Sequence, residues 1–212
     1  MSPSANPLDQ FLQTGDPLHV ALDGQMRSFL PTAKILLPGS FNPIHAGHWR
    51  LAEAAASILG HAVDFELSVV NVDKPDLAMD EIRQRLTQFE GQAAVWLTRA
   101  AKFVEKAERF PGAVFVVGAD TALRIVSPRY YVDERDMYNA LEKMRTLGSR
   151  FLVACRIDER GQCLQKGDLS IPPDFAEMFD EIPAERFRLD ISSTALRLPP
   201  LAPGTPGERG RG

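Results

Sequence analysis

The sequence has only two cysteines, Cys155 and Cys163, with no Cys-x-x-Cys pair and no histidine cluster beside them. This scarcity argues against both a zinc site and a disulfide framework. Cys155 lies in an apolar run, so we expect it to be a small core residue. Every apolar run is much shorter than the roughly 20 residues of a membrane-spanning helix, and no basic-then-apolar leader opens the sequence. We therefore expect a cytoplasmic protein without a membrane partner.

The chain also lacks an excess of positive charge, since 24 Lys and Arg residues face 28 Asp and Glu residues, for a net charge of -4. A nucleic acid is therefore not an expected partner, although a local basic pocket for a small phosphate is compatible with this balance. With 44% hydrophobic and 25% charged residues in 212 positions, the chain can form one α/β domain. The sequence leaves the oligomeric state open, a homo-oligomer included.

Short apolar runs alternate with segments of helical pattern along most of the chain. This alternation is typical of βα units, so we predict a doubly wound α/β domain with a mainly parallel sheet. The predicted strands are residues 34–37, 63–70, 94–98, 114–117 and 151–156, with a short one at 186–190. The predicted helices are residues 47–59, 80–89, 100–109, 119–126 and 134–147.

Three parts of the chain differ in composition. Residues 1–33 are predicted to be an N-terminal extension with short helices at 9–13 and 19–30. Residues 198–212 are rich in proline and glycine, and such a composition predicts a flexible tail. The α/β domain is therefore predicted to occupy residues 34–197.

The turn after the first predicted strand of the domain reads GSFNPIHAGH over residues 39–48. Gly39 allows a tight turn, and Pro43 restrains the approach to a helix whose first N–H groups can face a phosphate. His45 and His48 are three residues apart, which brings both side chains to one face. A lone histidine near a helix end is usually a cap or a surface residue, but this pair indicates a polyphosphate site.

Two further segments follow predicted strands. In Val117-Gly118-Ala119-Asp120, the carboxylate of Asp120 could accept hydrogen bonds from ribose hydroxyls, or it could cap the next helix. Residues 191–197 read ISSTALR, a string that is often only a helix start. Its serines could also cap a helix facing an anion, with the guanidinium of Arg197 adding a charged contact.

Isolated cations and aromatic residues give weaker signals. Lys74 follows the second predicted strand of the domain, where a flexible ammonium suits a β/γ-phosphate or an acceptor phosphate. Arg156 ends the fifth predicted strand, close to the edge of the sheet at which Lys74 is expected. Trp96 is expected in the core. For Arg85, Lys106 and Arg124, a solvated surface charge is preferred to a ligand contact. For Tyr130 and Tyr131, a packed surface loop and a position near a ligand explain the residues equally well.

The segment at residues 39–48 resembles the G-(S/T)-F-(N/D)-P-x-H-x-G-H signature of a nucleotidyltransferase superfamily. This superfamily includes nicotinamide and nicotinate mononucleotide adenylyltransferases, pantetheine-phosphate adenylyltransferases and cytidylyltransferases. The resemblance implies a Rossmann-like nucleotidyltransferase fold in which His45 and His48 stabilise the triphosphate during transfer. It also implies that the backbone of Gly39, Ser40 and Phe41 lines the nucleotide site.

Residues 191–197 are similar to the I-S-S-T-x-(I/V)-R segment of the same superfamily, with Leu196 in place of the usual Ile or Val. This similarity implies that the triphosphate is also bound by four residues: Ser192, Ser193, Thr194 and Arg197. Residues 117–120 look like the (I/V)-G-A-D segment of the pyridine-nucleotide adenylyltransferases, which implies nucleotide contacts for Gly118 and Asp120.

Members of the superfamily commonly have a lysine-containing loop near the position of Lys74, although the neighbouring letters differ in this sequence. Related enzymes also often have an arginine near the nucleotide at the position of Arg156. The resemblance therefore adds Lys74 to the catalytic candidates and Arg156 to the nucleotide-binding ones.

Together these resemblances predict an enzyme of NAD biosynthesis that transfers AMP from ATP to nicotinamide mononucleotide or nicotinate mononucleotide and releases pyrophosphate. Mg²⁺ would bridge phosphate oxygens and need few protein ligands. One alternative is adenylyl or cytidylyl transfer to another small phosphate, such as phosphopantetheine. Another is a nucleotide-binding sensor without turnover. A dehydrogenase is not favoured, because the first turn lacks G-x-G-x-x-G.

Overall fold

The computed structural model describes residues 6–28, 35–71, 75–157, 163–164 and 166–187. The predicted tail, the segment at 191–197 and Lys74 lie outside the described residues. The helices are α1 (Pro7–Thr14), α2 (Ala46–Leu59), α3 (Met79–Leu86), α4 (Phe103–Arg109), α5 (Ala119–Ile125) and α6 (Glu134–Thr146). Short 3-10 segments lie at Pro128–Tyr130, Lys166–Asp168 and Pro173–Met178.

The strands form one large sheet and one small ribbon. They are β1 (Leu18–Val20), β2 (Met26–Ser28), β3 (Ile35–Pro38), β4 (Asp64–Ser68), β5 (Val95–Thr98), β6 (Val114–Gly118), β7 (Arg150–Ala154), β8 (Arg156–Ile157), β9 (Cys163–Leu164) and β10 (Phe179–Ile182). The eight-stranded sheet has the order β10-β7-β6-β3-β4-β5-β1-β2, and β8 pairs with β9 separately.

The strand order shows where a ligand can bind. From β10 to β5 all neighbours pair in parallel. The chain winds from β3 outward through β4 to β5, and then returns to β6 on the other side of β3. The predicted doubly wound α/β fold is therefore confirmed. Its direction reverses between β3 and β6, and in such sheets the ligand crevice lies outside the carboxyl ends of the strands at that reversal.

Alternation along the strands directs side chains into two apolar layers. In β3, Ile35 and Leu37 pack with residues of α1, α2 and α3, whereas Leu36 packs on the opposite face with residues of α4, α5 and α6. All three side chains are buried. A strand that is buried on both faces is a central strand, so the turn that follows β3 has a rigid base.

The predicted helix at residues 19–30 is wrong. Leu18 and Val20 are buried on either side of His19, and this period of two forms β1 rather than a helix. The chain reverses at Gly24, whose φ of +77° suits a residue without a Cβ, and β2 follows antiparallel to β1. β1 also pairs antiparallel with β5. The boundary at residue 33 stays a prediction, and the sheet contains strands from both sides of it.

Two other expectations need correction near the end of the described chain. Residues 186 and 187 are not in a strand, whereas residues 188–190 of that predicted strand lie outside the described residues. The last strand in the described part of the chain is β10, which pairs with β7 along its whole length. Cys155 is fully buried, as expected of a core residue, but it is disulfide-bonded. The low cysteine count was a poor guide to this bond, because one bond requires only that the fold bring two cysteines together.

Candidate functional site

The turn at residues 39–45 leaves the carboxyl end of β3 beside β4. The Gly39 N–H donates to the Glu66 carbonyl over 2.9 Å, which keeps the first residue of the turn attached to the sheet. A Cβ on Gly39 would lie 2.6 Å from two carbons of the Phe41 ring. Glycine is therefore required at this position because an aromatic ring packs directly against its backbone.

Phe41 anchors the turn from inside the molecule. Its φ of +44° is in the left-handed region, which an L-residue adopts only when its surroundings hold it there. The ring is fully buried and meets the rings of Phe65 and Phe89 edge to face, at centroid distances of 5.4 and 5.2 Å. It also meets the His48 ring at 5.1 Å. The core beneath the turn thus supports one of the two histidines directly.

His45 and His48 lie together at the start of α2. His45 is the N-cap residue, and its Nδ1 accepts from the Gly47 N–H over 3.1 Å. The His48 Nδ1 accepts from the His45 N–H over 3.2 Å. Because each Nδ1 is an acceptor, each neutral ring carries its proton on Nε2. The ring centroids are 3.9 Å apart, so the structure brings the two histidines together as predicted.

Both imidazoles are held in the neutral form at neutral pH. The pKa of His48 is lowered to about 4, mainly by burial and to a smaller extent by the nearby His45. Burial also lowers the pKa of His45 below its ordinary value. An anion beside the pair would oppose both shifts, because it favours the charged imidazolium. The arrangement can donate hydrogen bonds to a phosphate and gain positive charge when one binds.

Two side chains from the α3 region hold the turn from the side, and sequence reasoning did not predict this role. Arg85 Nη1 donates to the Ser40 carbonyl over 2.8 Å. The Gln88 amide donates to the Phe41 carbonyl over 3.0 Å and accepts from the Ile44 N–H over 2.8 Å. Arg85 was expected at the surface, but it is 8% exposed. Only the tertiary structure brings α3 against the turn.

The second predicted turn follows β6, the strand on the other side of β3. Gly118 is the N-cap residue of α5, and Asp120 lies in the first turn of that helix. Asp120 is therefore not the cap that one interpretation predicted. A Cβ on Gly118 would meet nothing within 4 Å. The turns after β3 and β6 flank the reversal of the sheet, where a nucleotide is expected to bind.

A comparison with models of protein families shows to which family the chain belongs. The family model described as cytidylyltransferase-like matches residues 36–198, which is most of the chain. The chain belongs to the cytidylyltransferase-like family. This places it in the nucleotidyltransferase superfamily with the His-x-Gly-His signature, as the segment at residues 39–48 predicted, and makes it a nucleotidyltransferase in general terms. A search of curated proteins finds no match.

Several predicted site residues of this cytidylyltransferase-like chain lie outside the described residues: Lys74, Ser192, Ser193, Thr194 and Arg197. Arg156 starts β8 and comes directly after the buried Cys155, just beyond the end of β7. Its backbone therefore lies near the carboxyl edge of the sheet. The predicted roles of all these residues stay predictions.

Lys106 does not lie at the surface, and it is not placed to reach a phosphate. It is 5% exposed, and its Nζ lies 2.8 Å from both carboxylate oxygens of the fully buried Glu66. Nζ also donates to the Ala100 carbonyl over 2.8 Å, and the Thr98 hydroxyl donates to Glu66. This lysine holds α4 against β4 and the turn after β5. Its position in a helical pattern did not reveal the buried carboxylate opposite it.

The other candidates have ordinary structural positions. Trp96 is 1% exposed, so its predicted place in the core is confirmed. Arg124 is exposed, and its guanidinium lies 5.7 Å from the Tyr130 ring centroid. The Tyr131 hydroxyl donates to the Ile125 carbonyl over 2.7 Å, and burial with the nearby Asp136 raises its pKa to about 12. These contacts explain Arg124, Tyr130 and Tyr131 without a ligand.

Within the described ranges, no group of three or more His, Cys, Asp or Glu side chains could hold a metal ion. None of the helices described there is long and apolar enough to cross a membrane.

Proposed function

We propose that this nucleotidyltransferase transfers AMP from ATP to nicotinamide mononucleotide or nicotinate mononucleotide. The observation that carries the proposal is the histidine pair, in which both Nδ1 atoms accept backbone N–H groups and both protons lie on Nε2. Two such donors at a helix start suit the oxygens of a polyphosphate. A nicotinamide-dependent hydride transfer would not need them.

In the proposed reaction, a phosphate oxygen of the mononucleotide attacks the α-phosphorus of ATP in line. The new P–O bond forms as the bond between the α-phosphorus and its bridging oxygen to the β-phosphorus breaks. Pyrophosphate leaves with the bonding electron pair and gains negative charge. His45 and His48 donate to that charge from Nε2, and their pKa values rise as it develops.

Mg²⁺ is proposed to enter as part of the substrate, bound to the oxygens of ATP. Hard oxygen ligands from a triphosphate satisfy this ion with few protein contacts. The turn after β3 would offer the triphosphate backbone groups and two histidines, which leaves the ATP oxygens as the main ligands of Mg²⁺. The protein then contributes position and hydrogen bonds, which suffice for a step without a covalent enzyme intermediate.

The choice of a pyridine mononucleotide as acceptor is supported by the Val117-Gly118-Ala119-Asp120 segment, which resembles that of pyridine-nucleotide adenylyltransferases. The structure has this segment at the end of β6 and the start of α5, on the far side of the reversal from the histidines. A nucleotide spanning the crevice would have its phosphates at α2 and its ribose near Asp120. Phosphopantetheine and other small phosphates remain the alternative acceptors.

Pyrophosphate release tests this function. The native protein is incubated with Mg²⁺ and either ATP or CTP, together with nicotinamide mononucleotide, nicotinate mononucleotide or phosphopantetheine. His48→Ala removes one donor, and His61→Ala is the matched control because His61 is exposed just beyond the other end of α2. We expect ATP with a pyridine mononucleotide to be used best, His48→Ala to lose at least about 100-fold in rate, and His61→Ala to match the native protein.

The remaining outcomes distinguish the alternatives. Preference for CTP or for phosphopantetheine would keep nucleotidyl transfer and replace the substrate. Binding of ATP without pyrophosphate release for any acceptor would favour the sensor. Equal activity in His48→Ala and His61→Ala would remove the histidine pair from the reaction.

A further inference from the structure

Gln88 connects the two ends of the turn at residues 41–44. It follows α3 and is far from the turn in sequence, yet its one amide group contacts both Phe41 and Ile44. These residues bracket Asn42 and Pro43, where the chain reverses, and Ile44 directly precedes His45. A single side chain therefore fixes the separation between the end of β3 and the first histidine.

The orientation of the Gln88 amide follows from its neighbours. Its Nε2 meets two carbonyl oxygens, that of Phe41 at 3.0 Å and that of Arg85 at 3.2 Å. Its Oε1 meets the Ile44 N–H at 2.8 Å. The reverse orientation would direct an NH₂ group at an N–H and an oxygen at two carbonyls, so it is excluded. Both halves of the amide are needed for the bridge.

Arg85 holds the residue before Phe41. It donates to the Ser40 carbonyl, pairs with the Glu81 carboxylate and is nearly buried. Its Nε is buried and has no partner among the described residues, so the guanidinium makes fewer hydrogen bonds than it could. A buried arginine with an unpaired donor is costly for stability. That cost suggests a role in shaping the turn rather than in stabilising the core.

These contacts also orient the backbone. The peptides after Ser40 and Phe41 are not cis, so each N–H points opposite to its carbonyl. Since Arg85 and Gln88 draw the Ser40 and Phe41 carbonyls toward the α3 region, the N–H groups of the next residues face away from it. The contacts of Arg85 and Gln88 therefore set both the directions of the N–H groups in the turn and the position of the Phe41 ring against His48.

We infer that Gln88 and Arg85 are positioning residues for nucleotidyl transfer, which hold the turn at residues 40–44 so that His45 and His48 meet the triphosphate together. The inference rests on the proposed function of the same site. Neither side chain needs to touch the substrate. Each acts through the backbone of the turn, and the effect on catalysis is one of geometry.

The test replaces Gln88 by methionine, which keeps the length of the side chain and removes both hydrogen bonds. The matched control is Gln84→Met, because Gln84 is exposed one helical turn earlier on α3. Gln88→Glu is a second variant that keeps the acceptor for Ile44 and puts a carboxylate oxygen against the Phe41 and Arg85 carbonyls in place of the donor. The measurements are kcat, KM for ATP, thermal unfolding, and the ¹⁵N NMR shifts of His48, which report its tautomer.

We expect kcat of Gln88→Met to fall about 10- to 100-fold, because small misplacements at a reacting centre have effects of that order. KM for ATP should change less than about threefold, since the lost interaction concerns the transition state. The His48 signals should move from the Nε2–H tautomer toward a mixture. Gln84→Met should match the native protein in every measurement. If Gln88→Met does not fold, Gln88→Glu should show the same pattern, a lower kcat with moved His48 signals.

Native kcat and native His48 shifts in a folded Gln88→Met would overturn the inference, and so would a rise in KM with kcat unchanged. The NMR arm separates this inference from the proposed function. If the native protein releases no pyrophosphate but Gln88→Met still shifts the His48 signals, the proposed reaction fails and the positioning of the histidine stands. If the native protein releases no pyrophosphate and Gln88→Met also leaves the His48 signals unchanged, both the proposed reaction and the positioning of the histidine fail.

Discussion

The strand β4 has a buried ion pair on one face. Beside its other face lies the turn at residues 39–45, here called the histidine turn. The Glu66 side chain meets Lys106 from α4 inside the protein, while the Glu66 carbonyl accepts from Gly39 at the start of the turn. On the α4 side, opposite charges compensate each other at 2.8 Å. On the α2 side, burial keeps two imidazoles neutral.

The ion pair and the histidines show two different roles of polar residues near a ligand crevice. A compensated pair fixes α4 to the sheet and has no charge left for a substrate. Neutral histidines with defined tautomers can still respond, because a bound anion raises their pKa. If this contrast is correct, disrupting the ion pair should reduce stability most, and a methyl group added at the open turn after β6 should reduce it least.

Lys106→Met should have the largest effect on stability, because it leaves the Glu66 carboxylate buried without its cation. We expect a loss of about 3–5 kcal/mol in the free energy of unfolding, measured by denaturant titration. The double variant Glu66→Leu with Lys106→Met should recover most of that loss, since it removes both charges. A single variant as stable as the native protein would show that the pair is not compensating charge as described.

Gly39→Ala should have an intermediate effect. Its Cβ would lie 2.6 Å from the Phe41 ring, so the ring and the turn must shift. We expect a loss of about 1–3 kcal/mol in the free energy of unfolding, as for other overpacked sites, and a weaker affinity for ATP measured by calorimetry. Unchanged stability with unchanged affinity would contradict the tight contact between Gly39 and Phe41.

Acidification should weaken the fold through His48. Its pKa is about 4 in the folded protein and has an ordinary value of 6.5, so the unfolded chain binds more protons between these values. Stability is therefore fully present above about pH 6.5 and falls as the pH drops toward 4. Because the ring is only partly buried, we expect about 1 kcal/mol. In denaturant titrations across this range, His48→Gln should flatten the dependence.

The protonation of His48 should also respond to a bound anion. Pyrophosphate should raise the His48 pKa, so its binding near pH 6 should take up protons, measured by calorimetry in buffers of different ionisation enthalpy. Binding with no proton uptake attributable to His48 would indicate that the anion lies elsewhere.

Gly118→Ala should have the smallest effect on stability, within about 0.5 kcal/mol, because a Cβ there meets no atom within 4 Å. The comparison with Gly39→Ala uses the same substitution at the two turns that flank the reversal of the sheet. If the nucleotide lies against Gly118 as proposed, ATP affinity should fall while thermal unfolding stays unchanged. A large loss of stability would show that the second turn is as tightly packed as the first.

The βα part of the fold could be predicted from the sequence because its strands are short apolar runs and its helices have clear periodicity. The strands β3, β4, β5 and β6 and the helices α2, α5 and α6 match their predicted ranges within a few residues. β1 and β2 were mistaken for a helix, because three-residue strands give too little periodicity to recognise. The pairing of β1 with β5 depends on a contact between distant residues.

The site, like the fold, has one part that the sequence predicted and another that only the structure showed. The histidine turn could be recognised in the sequence alone, since its glycine, proline and histidine spacing lie within ten consecutive residues and create local geometry. The folded chain was needed to show that Arg85 and Gln88 brace this turn, that Lys106 pairs with Glu66, and that Cys155 is disulfide-bonded. The contacts of Arg85 and Gln88 and the Lys106–Glu66 pair join residues from separate elements of the chain, and no local pattern contains information about a partner that only folding brings near.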